Sequence, residues 1–396
     1  MNKRGPLCLL ICFVMFFCGS CSALSALLPE VDTALWVAFS SSDARNNLAF
    51  HRVSELENYS SVYREYSSDV YYATLDDDGK RIYRLLEYAL DNCITRIMFD
   101  ERLADDLVET LPRVMVCLAL DSPLVEQNLS QRYYSVSETQ VASAGPFDRE
   151  RPVKGILLKV VGFSRNALDL KEQAVAKARQ IVDGLPDGLT PAETCWSLYR
   201  YLRENVRYRT YDNAWKASYL YDALCEGASH CDGFANAFSL LCNMAGVPCF
   251  EKLHLPTDEE QTGHTWNCVR LDGAWFNVDA AVDSSDVEEI ERRIGQSFWY
   301  GFSDEYQTGP VYLADRLPVC DRDMLELSFT ASGEDELVDK IVSAFRRGNS
   351  DYVYFALDST PAGPDVWQRV SDTLRAGITW VMLNESVPYR YVVCLS

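Results

Sequence analysis

Histidine is scarce in this sequence: four among 396 residues, at positions 51, 230, 254 and 264. Any chemistry that needs an imidazole base must draw on that short set. Basic side chains are also few, 37 Lys and Arg against 58 Asp and Glu, for a net charge of −21. Such a surface repels phosphate backbones and argues against a nucleic-acid partner. Past residue 21 no C-x-x-C pair occurs, and no EF-hand loop is present. Neither a structural zinc site nor a cofactor is therefore expected. After the first twenty residues no apolar run approaches the length of a membrane span.

What is present begins with an apolar run from Leu7 to Phe17 behind Lys3 and Arg4, the layout of a secretory signal. It ends in Cys18-Gly19-Ser20-Cys21, which resembles a bacterial lipobox with Cys21 as the lipidated residue. Cleavage near Ala23 or Ala26 is the simpler alternative. The expectation is export to the cell envelope, either free or anchored through Cys21. At 48% hydrophobic and 12% aromatic residues the chain can build real cores, and its length suggests more than one. Ten cysteines remain beyond Cys21, several of them inside apolar periodic segments where a thiol behaves as a small hydrophobe.

Four parts follow from the pattern: a signal over 1–21, an N-terminal α+β region over 29–150, a core over 151–319, and a small α+β unit over 320–396. Residues 29–70 read only as a lead-in. Leu75–Leu90 carries a helical stripe, followed by a strand at 93–99 and a helix at about 102–120. Thr190-Pro191-Ala192-Glu193 is a capping box that starts a helix running to about Val206. A second helix opens at Cys231 and stops at Gly246. Strands at 249–253, 264–271 and 274–279 come next, the last two joined by Asp272-Gly273, a type I′ turn pair. After Val319 the order is strand, helix, strand, helix, strand, strand, an echo of the helix–strand–helix order at 77–120.

A cysteine nucleophile needs a base, and that base needs an orienting group. His230 is adjacent to Cys231, but neighbouring side chains point in different directions. The hairpin offers a better base. With Asp272-Gly273 as the turn, Leu271 opposes Ala274 and Trp266 opposes Asp279, so His264 lies diagonal to Asp279 on one face, within reach of it. Cys231, at a helix start, feels positive charge and unpaired N–H groups that lower a thiol pKa. Those N–H groups can also hold an oxyanion. Gly233 would let a substrate backbone approach closely. Taken singly, each feature also has a plain structural reading: a packed thiol, a turn aspartate, a core histidine.

Two segments, "CDGFANAFSLLCNMAGVPC" and "GHTWNCVRLDGAWFNVDAAVDS", together with their separation, resemble the transglutaminase-like superfamily of bacterial exported proteins. Its pattern is a Cys before Gly-aromatic-Ala, a Gly-His-[Ala/Thr]-Trp-Asn segment, and an aromatic-x-Val-Asp strand end. The resemblance covers about residues 150–315, including the "ENVRY" turn and "FWYGFSDE". It implies an α+β fold with a papain-like core and small flanking α+β units. It also implies Cys231, His264 and Asp279 as a catalytic triad, with Tyr221 and Trp266 as further groups near the reacting atoms. The implied reaction is acyl transfer through a thioester on a protein or peptide substrate at the cell surface, resolved by water or an amine. Asp232 stands where Gln or Glu is commoner in the family, and Cys225 and His230 fall where it varies. Two rival readings differ in class: a non-enzymatic envelope scaffold, and a zinc hydrolase built from Cys225, Cys231 and His264.

Overall fold

The computed structural model describes residues 36–395, apart from 41–48, 62–63, 93, 95, 101–106, 126–133, 140–152, 159–164, 210–218, 257–262, 282–295, 307–309, 349–351 and 385–388. The leader-like run and Cys21 lie outside the described residues. Among the described residues no helix is long and apolar enough to cross a membrane.

The first sheet holds β1 (Trp36–Ser40), β2 (Ala49–Arg52), β3 (Arg96–Asp100), β4 (Tyr134–Thr139) and β5 (Val153–Leu158), in the order β2-β1-β3-β5-β4. Its strands are antiparallel to their neighbours. Residues 29–70, read as a lead-in, thus contain two strands. The alternation that marks β1 is only two buried residues long, Val37 and Phe39, too brief to stand out. β5 completes this sheet, so its edge falls after Leu158 and not at 150. Helices α1 (Asp77–Asp91) and α2 (Leu107–Asp121) accompany it. Asp76 caps α1 by accepting the Gly79 N–H.

The central unit has α3 (Arg165–Asp183), α4 (Pro191–Asn205), a two-stranded ladder of β6 (Arg207–Tyr208) and β7 (Ala228–Ser229), α5 (Tyr219–Leu224) and α6 (Cys231–Met244). The capping box forms as expected: Thr190 Oγ1 accepts the Glu193 N–H, and Glu193 accepts the Thr190 N–H. Opposite α6 lies an antiparallel sheet, β11-β10-β9-β8, of β8 (Cys249–His254), β9 (His264–Leu271), β10 (Ala274–Val278) and β11 (Tyr300–Phe302). The β9–β10 turn has φ of 49° at Asp272 and 84° at Gly273, the left-handed pair of a type I′ turn. Leu271 faces Ala274 across it, as the hairpin register requires. Phe234, Phe238, Leu241, Val269, Leu271 and Phe276 are among the side chains that close the core between α6 and the sheet.

The last unit packs α7 (Glu334–Arg346) and α8 (Pro364–Leu374) on a sheet of order β12-β13-β15-β14, where β12 is Phe329–Ala331, β13 Tyr352–Leu357, β14 Ile378–Asn384 and β15 Tyr389–Leu395. The whole is an α+β molecule whose central unit supports the site.

Candidate active site

Cys231 is the first residue of α6, and His230 before it is the N-cap, in extended backbone conformation. The His230 ring does the capping: its Nδ1 accepts the Asp232 N–H at 3.1 Å. The same ring comes within 4.8 Å of the Cys231 sulfur and lies 4.1 Å, centroid to centroid, from Tyr219. The sequence reading set His230 aside because adjacent side chains diverge. That rule fails here because the cap residue is not helical and turns its side chain back over the first turn.

His264 opens β9, and Nε2 donates to Asp279 Oδ2 at 2.6 Å. Asp279 is buried just past β10, and its other oxygen accepts the Ala281 N–H at 2.9 Å. Nδ1 of His264 is then the nitrogen left for the thiol. Burial works against a charged His264, but the Asp279 charge, its hydrogen bond and Cys231 outweigh it and push the pKa up to about 11. For Cys231, burial and the Asp232 carboxylate favour the neutral thiol. Hydrogen bonds from His230 and His264, with the His264 charge, overcome both and bring the pKa below the ordinary thiol value. A thiolate–imidazolium pair is the favoured state.

The other residues singled out from the sequence have different places. Trp266 is buried and stacks beside His264 at 5.9 Å, with an interplanar angle of 18°. Its Nε1–H is held by Asn277 Oδ1 at 3.1 Å, so it fixes the base from behind. Tyr221, in α5, packs against the central core; the ring against His230 is Tyr219. Gly233 is corrected outright. It is buried, and a Cβ there would collide with the Ser229 side chain and lie 2.7 Å from the Tyr219 carbonyl. Glycine lets α6 begin flush against β7 and α5, and leaves no room for a substrate on that side. Cys225, exposed at the end of α5, has Lys177 and Glu226 as its charged neighbours. The triple Cys225, Cys231 and His264 is not gathered as a ligand set. His230, Cys231 and Asp232 do come within 4.8 Å of one another.

Two supports were not read from sequence. Thr265 Oγ1 donates to Asp232 Oδ1 at 2.9 Å, and Asn267 Nδ2 donates to the Ala235 carbonyl at 2.9 Å. Together they lock the start of α6 to the His-bearing strand. Alternation along β9 could have found them, because Thr265 and Asn267 fall on the face opposite His264 and Trp266.

A half-exposed histidine paired with a buried carboxylate, beside a thiol at a helix start, defines the papain-like class of thiol site on an α+β core. Residues 176–280, which contain Cys231, His264 and Asp279, match the model of the transglutaminase-like superfamily. Kyphoscoliosis peptidase of Homo sapiens is 27% identical over 195 residues, 45% of this chain and 28% of that protein. The chain thus spans little more than a quarter of that relative's length. Among solved structures, the periplasmic domain of TgpA from Pseudomonas aeruginosa, bound to ethylmercury, is 15% identical with a TM-score of 0.22. That likeness covers 38% of this chain and 65% of the other.

Proposed function

We propose that the chain is an exported thiol-dependent acyl-transfer enzyme, with Cys231 as nucleophile, His264 as acid and base, and Asp279 as the group that orients His264. The observation that carries this reading is the 2.6 Å His264–Asp279 hydrogen bond set against a helix-start thiol of lowered pKa. The Cys231 thiolate attacks an amide carbonyl of a protein or peptide, forming a C–S bond. The Cys231 backbone N–H holds the oxyanion. As the C–N bond breaks, His264 gives its proton to the leaving amine, and a thioester remains. Water, deprotonated by His264, then releases the acid; an amine in its place would give a cross-link. Hydrolysis is the favoured resolution, in keeping with a relative that is named a peptidase. The leader-like run at 7–17 supports export, and Cys18–Cys21 supports a lipid anchor at Cys21.

The test is incubation with a glutamine-containing peptide and a labelled amine, with assays for new amino termini, ammonia and incorporated label. Turnover should give cleaved or deamidated peptide with little label, and Cys231→Ala should lower it about 10⁴-fold or more. Turnover that survives in Cys231→Ala would refute the role. The pH profile has a worked sign. The active ion pair exists above the lowered Cys231 pKa and below the raised His264 pKa. Alkylation of Cys231 by iodoacetamide should therefore persist at pH values below those an ordinary thiol needs, and the alkaline limb of turnover should lie at about 11. Asp279→Asn should move that limb to lower pH and reduce kcat about 10²–10⁴-fold. An unmoved limb would remove Asp279 from the proposal.

A further inference from the structure

Behind the hairpin that carries His264, two thiols used by no step of the acyl transfer face each other. Cys268 lies in β9 and Cys320 in the strap that follows the short turn Ala314–Arg316. Their sulfurs are 3.3 Å apart, and each residue is about 1% exposed or less. A bracket of polar groups fixes this meeting. Lys252 Nζ, from β8, lies 3.7 Å from Cys320 Sγ and 2.7 Å from Asp304 Oδ1. Asp304 Oδ2 accepts the Cys320 N–H at 2.9 Å. Asp304 Oδ1 also accepts from Asn277 Nδ2 at 2.9 Å, and Asn277 holds Trp266, which stacks on His264. The strap is thereby joined to the support of the catalytic base through two side chains.

We propose that Cys268 and Cys320 are a covalent modification site, an intramolecular disulfide that ties the strap to the strand bearing His264. A disulfide is about 2.05 Å long, so the sulfurs need approach by only about 1 Å. The oxidant is a low-molecular-weight disulfide, of the class available outside a reducing cytosol. One cysteine thiolate attacks it, forming a mixed disulfide and expelling the first small thiol. The second cysteine thiolate then attacks the protein sulfur of that mixed disulfide and expels the second. Two electrons pass from the protein to the reagent, and the two protein S–H protons end on the two small thiols. Because both sulfurs are buried, the exchange belongs to folding, before the strap docks. Another close group of thiols is Cys242 with Cys195 and Cys249, inside the core at α6. Among the described residues no bracket of charged groups comparable to Lys252 and Asp304 draws any two of them together, and they stay reduced.

The full chain is refolded with oxidised glutathione, trapped with N-ethylmaleimide under denaturing conditions, digested and mapped by mass. The expected result is a cross-link between the Cys268 and Cys320 peptides, lost on reduction. Cys320→Ser should abolish it and leave Cys268 alkylated. The oxidised wild type should melt roughly 5 °C or more above the reduced protein, a difference absent in Cys320→Ser. Complete alkylation of both cysteines after oxidative refolding overturns the proposal, as does a cross-link joining Cys242 to Cys195 or Cys249. If Cys320→Ser fails to fold, the wild-type map still decides. None of these readouts depends on turnover, so failure of the acyl-transfer reading would leave this one standing.

Discussion

The two flanking units follow one plan, and the central unit holds each of them differently. In the N-terminal unit the order is β1, β2, α1, β3, α2, β4, β5, with the sheet arranged β2-β1-β3-β5-β4; in the C-terminal unit it is β12, α7, β13, α8, β14, β15, arranged β12-β13-β15-β14. β12 is parallel to β13. β2 is antiparallel to β1, which is antiparallel to β3, so β2 also runs parallel to β3. The N-terminal unit is the C-terminal plan with one strand, β1, slipped between the first pair. Their cores differ more than their topology. Tyr71, Tyr83 and Leu118 share one continuous core with Phe250, Cys268 and Cys320 of the central unit. The C-terminal unit closes its own core around Phe355, Trp367 and Tyr391. It meets the centre at a small patch with Phe298 and at a set of ion pairs around Arg390. One copy of the plan is fused to the sheet that carries His264, and the other is docked on the central unit.

The strongest way to break this contrast is Tyr71→Ala. Tyr71 is fully buried, edge-on to Phe250, and its OH donates to the Glu251 carbonyl at 2.9 Å. Removing the ring should destabilise the protein by about 4 kcal/mol, and the loss should reach β8 and the site. Denaturant unfolding and Cys231 alkylation, followed together, should shift in one transition. If Trp367→Ala, at the centre of the C-terminal core, disturbs Cys231 as much as Tyr71→Ala does, the contrast fails.

What the sequence made legible divides along the same line. The C-terminal elements follow the expected order of strand, helix, strand, helix, strand and strand, since the unit closes on itself. The Asp272-Gly273 turn set the β9–β10 register, and with it the approach of His264 to Asp279. The fused unit was harder to read. β1 and β2 are four or five residues long and take their stability from a core shared with residues some 200 positions away, which local pattern cannot show. At the site, local rules misplaced two residues. Gly233 suggested open space because glycine serves equally for access and for close packing. His230 was dismissed because helix geometry was applied to a cap. The Ser229 side chain and the Tyr219 carbonyl decide the first, and the extended backbone of His230 the second.

Asp121 tests the fused interface through pH. It is fully buried at the end of α2 and accepts from Ser68 Oγ at 2.6 Å, Tyr71 N at 3.0 Å and Tyr72 N at 2.8 Å. Burial outweighs these hydrogen bonds and raises its pKa to about 7. An acid whose folded pKa is raised holds its proton more tightly when folded, so stability is greatest at low pH. It falls as pH rises from about 4 to about 7 and is flat beyond. The change is on the order of 4 kcal/mol over that window. Asp121→Asn should lose this slope, measured as the difference between variant and wild type in urea unfolding at several pH values. Parallel slopes would show that Asp121 does not titrate there.

Arg390 gives the smaller effect and the cleaner separation. Its guanidinium is buried, and it donates to Asp323 at 2.6 Å, Glu305 at 2.8 Å and Tyr354 OH at 3.3 Å. Glu305 is largely exposed and Asp323 partly so, so losing the arginine leaves carboxylates that water can reach. Arg390→Ala should therefore cost about 2 kcal/mol, below the usual range for breaking a fully buried pair. The loss should fall on the docking of the C-terminal unit. Limited proteolysis between Val319 and Phe329 should quicken, while the rate of Cys231 alkylation holds. Slower alkylation in Arg390→Ala would mean that the docked unit also shapes the site, and the distinction between fused and docked copies would have to be given up.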